Sequence, residues 1–162
     1  MRVRPTSWTT YASPIGPLTL RGDGEALTAI HFPGRLGDLG EATRDPNAFA
    51  EATRQLDEYF AGERTGFDLR VRLDGTDFER AVWRELVEVP YGETTTYGTI
   101  ARAVGRPDDA RDVGTAVGRT PVPIVVPCHR VVGSDGSLTG YGGGLDRKRA
   151  LLDLEAGQLA LI

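Results

Sequence analysis

Pro127-Cys128-His129-Arg130 sets the only cysteine of the chain beside one of its two histidines. Ile124-Val125-Val126 precedes it and Val131-Val132 follows. A thiol attacks carbon as the thiolate, so a base that takes its proton separates a nucleophile from a buried small hydrophobe. His129 is such a base by residue type, directly or through a water. The apolar flanks predict an extended segment, in which adjacent side chains point to opposite faces. Cys128 and His129 then do not touch directly. An imidazole base gains from an acid that orients it. Glu155 is one candidate, and spacing alone does not choose it over the other acids. A lone cysteine in an apolar run equally suits a structural thiol, and both readings stay open at this point.

Composition narrows the chemistry. The chain has 162 residues, 40% of them hydrophobic, which suits one domain or two small ones with a packed core. One cysteine excludes an intrachain disulfide framework and a Cys-rich zinc site, and a free thiol fits a reducing compartment. His31 and His129 are too few for a metal centre, so no metal is expected. No apolar run approaches the roughly 20 residues that span a bilayer. Met1 to Trp8 lacks the apolar stretch of a signal peptide, so the cytoplasm is the expected location. A net charge of −4 argues against bulk electrostatic binding to nucleic acid, though not against a small basic face. The basic residues are almost all arginine, with Lys148 the single lysine. No G-x-x-x-x-G-K-[ST] and no G-x-G-x-x-G after a strand is present, so no cofactor is expected.

The elements that must position these residues fall into two textures. Trp8 to Tyr11 reads as a strand, Ser13 to Gly16 as a turn. Leu18–Arg21 and Ala26–Phe32 read as a hairpin about Gly22-Asp23-Gly24. Residues 33–46 read as a loop. Asn47 is expected to cap a helix with Phe49, Ala52, Leu56, Tyr59 and Phe60 on one face, ended by Gly62. Phe67, Leu69, Val71 and Leu73 alternate as a half-buried strand. Asp74-Gly75 marks a boundary, giving domains 1–75 and 76–162. Beyond it come short helices. Thr76 and Glu79 form a capping box ahead of Phe78, Val82, Leu86 and Val89, and Pro90 stops that helix. Thr96 caps a second, with Ile100, Ala101 and Val104 inward and Gly105 as its stop. Pro107 is placed in the first turn of a third, which runs through Ala110, Val113 and Val117. The pair reads as a helix-turn-helix, whose second helix commonly enters a DNA groove, although a plain helical hairpin gives the same pattern. Ser134-Asp135-Gly136 is a hairpin turn and Tyr141 to Gly144 a flexible loop. A last helix carries Leu145, Lys148, Leu151, Leu152 and Glu155.

Three ordered motifs carry a resemblance: Pro127-Cys128-His129-Arg130-Val131, Pro90-Tyr91-Gly92-Glu93-Thr94 with Tyr97-Gly98, and Gly140-Tyr141-Gly142-Gly143-Gly144-Leu145. Together they resemble the methylated-DNA–protein-cysteine methyltransferases, also called O6-alkylguanine-DNA alkyltransferases. The match is dense from Thr76 to Glu155 and extends more weakly to Ser13-Pro14-Ile15-Gly16-Pro17-Leu18. The resemblance implies an α+β fold: an N-terminal ribonuclease-H-like small antiparallel sheet with a helix, then a C-terminal winged-helix-like (helix-turn-helix) domain. It implies a monomer acting on alkylated double-stranded DNA by flipping the damaged base. Cys128 matches the acceptor of the alkyl group of O6-methylguanine, and by extension O4-methylthymine. His129 and Glu155 match the relay that deprotonates it through a water. Tyr97 matches the residue that turns the nucleotide out and protonates the leaving oxygen, and Arg111 the one that fills the vacated space. Thr96, Arg106, Gly114 and Ser134 are carried over as DNA contacts, and Val131, Ser134, Tyr141 and Gly142 as the guanine pocket. The thioether is a poor leaving group, so each molecule acts once.

The chain departs from the family pattern twice. Thr120 stands where asparagine is usual, with one donor and a shorter reach to support the cysteine loop. Asp112 stands where alanine is usual, and with Asp108 and Asp109 it opposes nearby phosphates. Two other functions compete. A non-catalytic lesion sensor of the alkyltransferase-like kind typically lacks the acceptor cysteine, which is present here. A cysteine hydrolase wants an oxyanion hole, which no motif supplies.

Overall fold

The computed structural model describes residues 6–157. Residues 1–5, on which the absence of a signal peptide was argued, lie outside the described residues. The chain opens on β1 (Ser7–Ser13), β2 (Gly16–Gly22) and β3 (Leu27–His31), which form an antiparallel meander. Pro14-Ile15 closes the first hairpin. There the Ser13 hydroxyl donates to the Gly16 carbonyl (2.5 Å) and accepts from the Ile15 N–H (3.2 Å). The expected second hairpin forms between β2 and β3, its turn held by Asp23, whose carboxylate accepts from the Glu25 and Ala26 N–H groups. β4 (Thr43–Arg44) falls inside the expected loop and pairs parallel with β1, giving the sheet order β3-β2-β1-β4. Two residues are too few to show alternation.

α1 (Ala50–Phe60) buries Ala52, Leu56, Tyr59 and Phe60, as its spacing predicts. Its entry differs from expectation. A 3₁₀ helix over Pro46–Phe49 precedes it, capped by Asp45, which accepts from the Asn47 N–H at 3.2 Å. Proline prefers the first helical position, so the cap falls on the residue before Pro46 and not on Asn47. The expected strand at Phe67 to Leu73 is also corrected. Its alternating side chains pack half-buried on the core, but among the described residues the backbone joins β3 through a single bridge, Leu27 to Val71. Alternation there records packing against a surface without a ladder.

After Gly75, α2 (Asp77–Val87) starts on the complete capping box of Thr76 and Glu79, an arrangement that stabilises a helix by about 1 kcal/mol. α3 (Tyr97–Ala103) is capped by Thr96 and ends near Gly105, whose φ of 77° is open to glycine at little cost. α4 (Ala110–Gly118) begins later than expected, with Asp109 as its cap residue. The Asp109 N–H donates to the Arg106 carbonyl (2.9 Å), so Pro107 lies in a separate turn. α2 and α3 both pack on α4, and the Trp83 indole donates to the Ala116 carbonyl at 2.9 Å. β5 (Thr95–Thr96) and β6 (Val131–Val132) pair in parallel. The turn at Ser134 forms, with the Gly136 N–H on the Gly133 carbonyl, but no strand follows it. α5 (Leu145–Glu155) closes the described chain.

The architecture is therefore α+β, with two buried clusters. One joins the sheet and α1 to Val122, Ile124, Leu151 and Leu154. The other joins α2, α3 and α4 to Val126, Cys128 and Val131. The cysteine segment runs between them. No helix among the described residues is long and apolar enough to cross a membrane.

Candidate active site

The segment leading to Cys128 is wound tight. Ile124 has φ 76°, a left-handed conformation that strains a β-branched residue by about 1–3 kcal/mol. Its side chain is buried in the first cluster, which holds it there. The Val126 N–H then reaches back to the Val122 carbonyl (2.9 Å). Cys128–Arg130 is a 3₁₀ helix, which corrects the expected extended run. The cause is visible one residue on. His129 and Arg130 both bond Glu155, and an extended chain would send them to opposite faces.

Glu155, 5% exposed on α5, is the hub. Its Oε2 lies 2.7 Å from His129 Nε2 and accepts from Arg130 Nη2 at 3.0 Å and from the Tyr59 hydroxyl at 2.6 Å. Its Oε1 accepts from Arg130 Nε at 2.7 Å. Burial pushes this carboxyl up, but the hydrogen bonds from His129, Arg130 and Tyr59 outweigh it and hold the group at about 2. Burial lowers His129 more than Glu155 raises it, so the imidazole rests neutral. A neutral ring facing a carboxylate donates through Nε2–H, which leaves Nδ1 as the proton acceptor. His129 Nδ1 is buried without a hydrogen-bond partner.

Cys128 is 4% exposed and borders a cavity of about 260 Å³. Thr120, Pro121, Pro123, Gly140, Tyr141 and Gly142 share its wall with His31, Phe32 and Arg35 from the N-terminal part. Burial pushes the thiol up to about 11, offset in part by the Lys148 charge. The thiol thus rests protonated at neutral pH and reacts only when a base takes its proton. Thr120 donates its hydroxyl hydrogen to the Val117 carbonyl at 2.7 Å. That hydrogen is not available to a thiolate at the same time. Of the residues assigned to the guanine pocket, Tyr141 and Gly142 line this cavity, whereas Val131 and Ser134 do not. Val131 is buried in β6, and Ser134 is exposed in its turn. The Tyr97 hydroxyl shares a hydrogen bond of 2.6 Å with Thr139, and its ring packs against Gly114, where an added Cβ would come within 3.7 Å.

The chain is similar to known proteins over most of its length. The family description "6-O-methylguanine DNA methyltransferase, ribonuclease-like domain" matches residues 6–73, and its companion, "DNA binding domain", matches residues 77–157. The methylated-DNA–protein-cysteine methyltransferase of Mycobacterium tuberculosis is 53% identical over 148 residues, covering 90% of each chain. The chain belongs to the O6-methylguanine DNA methyltransferase family. The Methanosarcina acetivorans methyltransferase is 47% identical, covering 90% of this chain and 95% of its own. The crystal structure of Mycobacterium tuberculosis OGT in complex with DNA superposes with a TM-score of 0.91 at 52% identity, over 94% of each chain.

In this methyltransferase fold Arg111 stands exposed on α4, free of acids among the described contacts. Arg106 is engaged: it pairs with Asp109, lies 3.6 Å from Asp112 and stacks 4.5 Å above the Phe78 ring. Asp112 therefore adds a negative charge to this face of α4 and lies beside one of its arginines. Asp112→Ala is expected to tighten duplex binding by a factor of roughly five or less, most at low salt. Titration at two ionic strengths checks this, and unchanged affinity would place Asp112 away from the duplex.

Sequence reasoning missed three members of the site. Arg130 was read only as part of the motif, yet it makes two bonds to Glu155 and one to the Val89 carbonyl. Tyr59 was read as core. Lys148, 1% exposed, donates from Nζ to the carbonyls of Val131 (2.5 Å) and Thr139 (3.1 Å), tying the cysteine segment to the chain after the turn. A signal existed for Lys148. One lysine in an otherwise all-arginine chain marks a place where a compact ammonium fits and a planar fork does not.

Proposed function

We propose that this chain repairs alkylated DNA by moving the alkyl group of O6-methylguanine, and of O4-methylthymine, onto Cys128. The observation that carries the proposal is the single thiol bordering a cavity one residue from a buried His129–Glu155 pair. His129 Nδ1 takes the thiol proton through a water. The sulfur attacks the alkyl carbon in line, the C–O6 bond breaks, and Tyr97 supplies the proton to the departing base oxygen. Thr96, Arg106, Gly114 and Ser134 face the duplex in this scheme, and Arg111 fills the gap left by the flipped base. Tyr141 and Gly142 wall the guanine, with Thr120 supporting the cysteine loop. The product thioether holds its carbon, so one molecule repairs one lesion without a cofactor.

The domain division at 1–75 and 76–162 is supported by family matches that end at 73 and resume at 77. A monomer in the cytoplasm, with its thiol kept reduced, fits one-to-one chemistry. The test is intact mass after incubation with a duplex carrying O6-methylguanine. One added methyl, mapped to Cys128 and with no second turnover, is expected. Duplex binding without any mass gain would indicate a lesion sensor. Product release by substoichiometric protein would indicate a hydrolase.

A further inference from the structure

The relay of the proposed reaction contains a residue from the other half of the fold. Tyr59 lies on α1, is fully buried and sits 96 positions from Glu155. Its hydroxyl nonetheless donates to Glu155 Oε2 at 2.6 Å, the oxygen that also faces His129 Nε2. We infer that Tyr59 is a positioning residue of alkyl transfer: its phenol fixes the Glu155 carboxylate and shares the oxygen that orients His129. The inference rests on the proposed role of His129 as the base.

Two features support a functional reading over simple packing. The Tyr59 ring is already held on three sides, by Phe60 at 5.2 Å, Phe67 at 5.3 Å and Tyr91 at 6.4 Å between ring centroids. The ring therefore packs without help from its hydroxyl. The hydroxyl instead takes the place on Oε2 that would otherwise strengthen the bond to His129. A carboxylate oxygen that accepts several bonds offers less negative charge to each donor. Burial and the adjacent Glu155 charge raise the Tyr59 phenol well above its ordinary value, so it remains a donor throughout the working range.

The groups acting on His129 come from every side. Glu155 and Lys148 face it from α5, and Cys128 and Arg130 belong to its own turn. Tyr59 from α1, Tyr91 before β5 and Tyr141 in the glycine loop act on the same centre through Glu155 or Cys128. Among them Tyr59 is the group whose loss leaves every charge in place while changing the hydrogen bonding of Oε2. Without it, Glu155 becomes a stronger acceptor, His129 becomes more basic, and the ring protonates at higher pH. A protonated His129 cannot take the thiol proton.

The test is the pH profile of single-turnover methyl transfer for Tyr59→Phe, with Phe60→Leu as a packing control. The acid limb of Tyr59→Phe is expected to move up by about one pH unit, with transfer near the limb slowed about tenfold and the high-pH plateau close to wild type. Phe60→Leu is expected to lose stability without moving the limb. His129 titrated by NMR, in a chain with only two histidines, should rise in parallel. An unmoved limb in an active Tyr59→Phe overturns the inference. So does a Tyr59→Phe chain that fails to fold, because packing by the ring alone is part of the claim. If wild type gains no methyl at all, it is the proposed function that fails.

Discussion

Cys128→Ala is expected to abolish methyl transfer while leaving duplex binding intact. The thiol sits at the edge of the cavity, whereas the exposed face of α4, with Arg111, lies elsewhere on the same part of the fold. No other side chain can stand in, because the chain holds no second cysteine. Alanine removes one buried sulfur from a well-packed cluster, which costs about 1 kcal/mol and leaves the helices in place. Intact mass after prolonged incubation should match the unmodified protein, and titration with the same duplex should give a wild-type affinity. Lost binding would mean that the thiol supports the DNA surface, and residual transfer would mean that another atom accepts the alkyl group.

Glu155→Ala is expected to remove about 3–5 kcal/mol of stability, the cost of breaking a buried ion pair from one side. The Arg130 guanidinium, 7% exposed, would keep only the Val89 carbonyl, and the His129 and Tyr59 donors would lose their acceptor. A urea midpoint at neutral pH measures the loss. The wild type should show a matching acid sensitivity. Its carboxyl is held at about 2 in the fold against an ordinary value of 4.5. The folded state therefore binds fewer protons than the unfolded chain between these values. The contribution of the group is complete above about 4.5 and fades as pH falls toward 2. It amounts to about 3 kcal/mol. Glu155→Ala should lack that acid-linked part of the decline. A variant as stable as wild type would show that Glu155 does not hold its three donors, His129, Arg130 and Tyr59, in place.

What the sequence made legible was local. The capping box at Thr76, the cap at Thr96 and the hairpin about Asp23 each depend on residues a few positions apart, and each forms. Where local rules competed, the structure chose by geometry, as when Pro46 moved the cap to Asp45 and the turn at Arg106–Asp109 delayed α4. The parallel pair of β5 and β6 is two residues long and joins segments far apart, so no periodicity announces it. The candidacy of Cys128 and His129 was readable from residue type. The acid that completes it was not, since Glu155 was one carboxylate among 23 acidic residues until the family resemblance selected it. Tyr59 was read correctly as buried, and burial concealed its hydroxyl.

The contact between Tyr59 and Glu155 also bears on how the molecule melts. Two family descriptions divide the chain near residue 75, but its interior does not divide there. Leu151, Leu154, Val122 and Ile124 complete the cluster built by the sheet and α1, and the buried carboxylate of α5 is bonded from α1. Opening either half would strip apolar area from the other and strand a charge in its interior. Neither half has a separate transition available at low cost, so heat or denaturant meets one cooperative unit. Residues 76–162 alone, though they hold the thiol, the base and the acid, would carry an exposed core face and an unanchored Glu155.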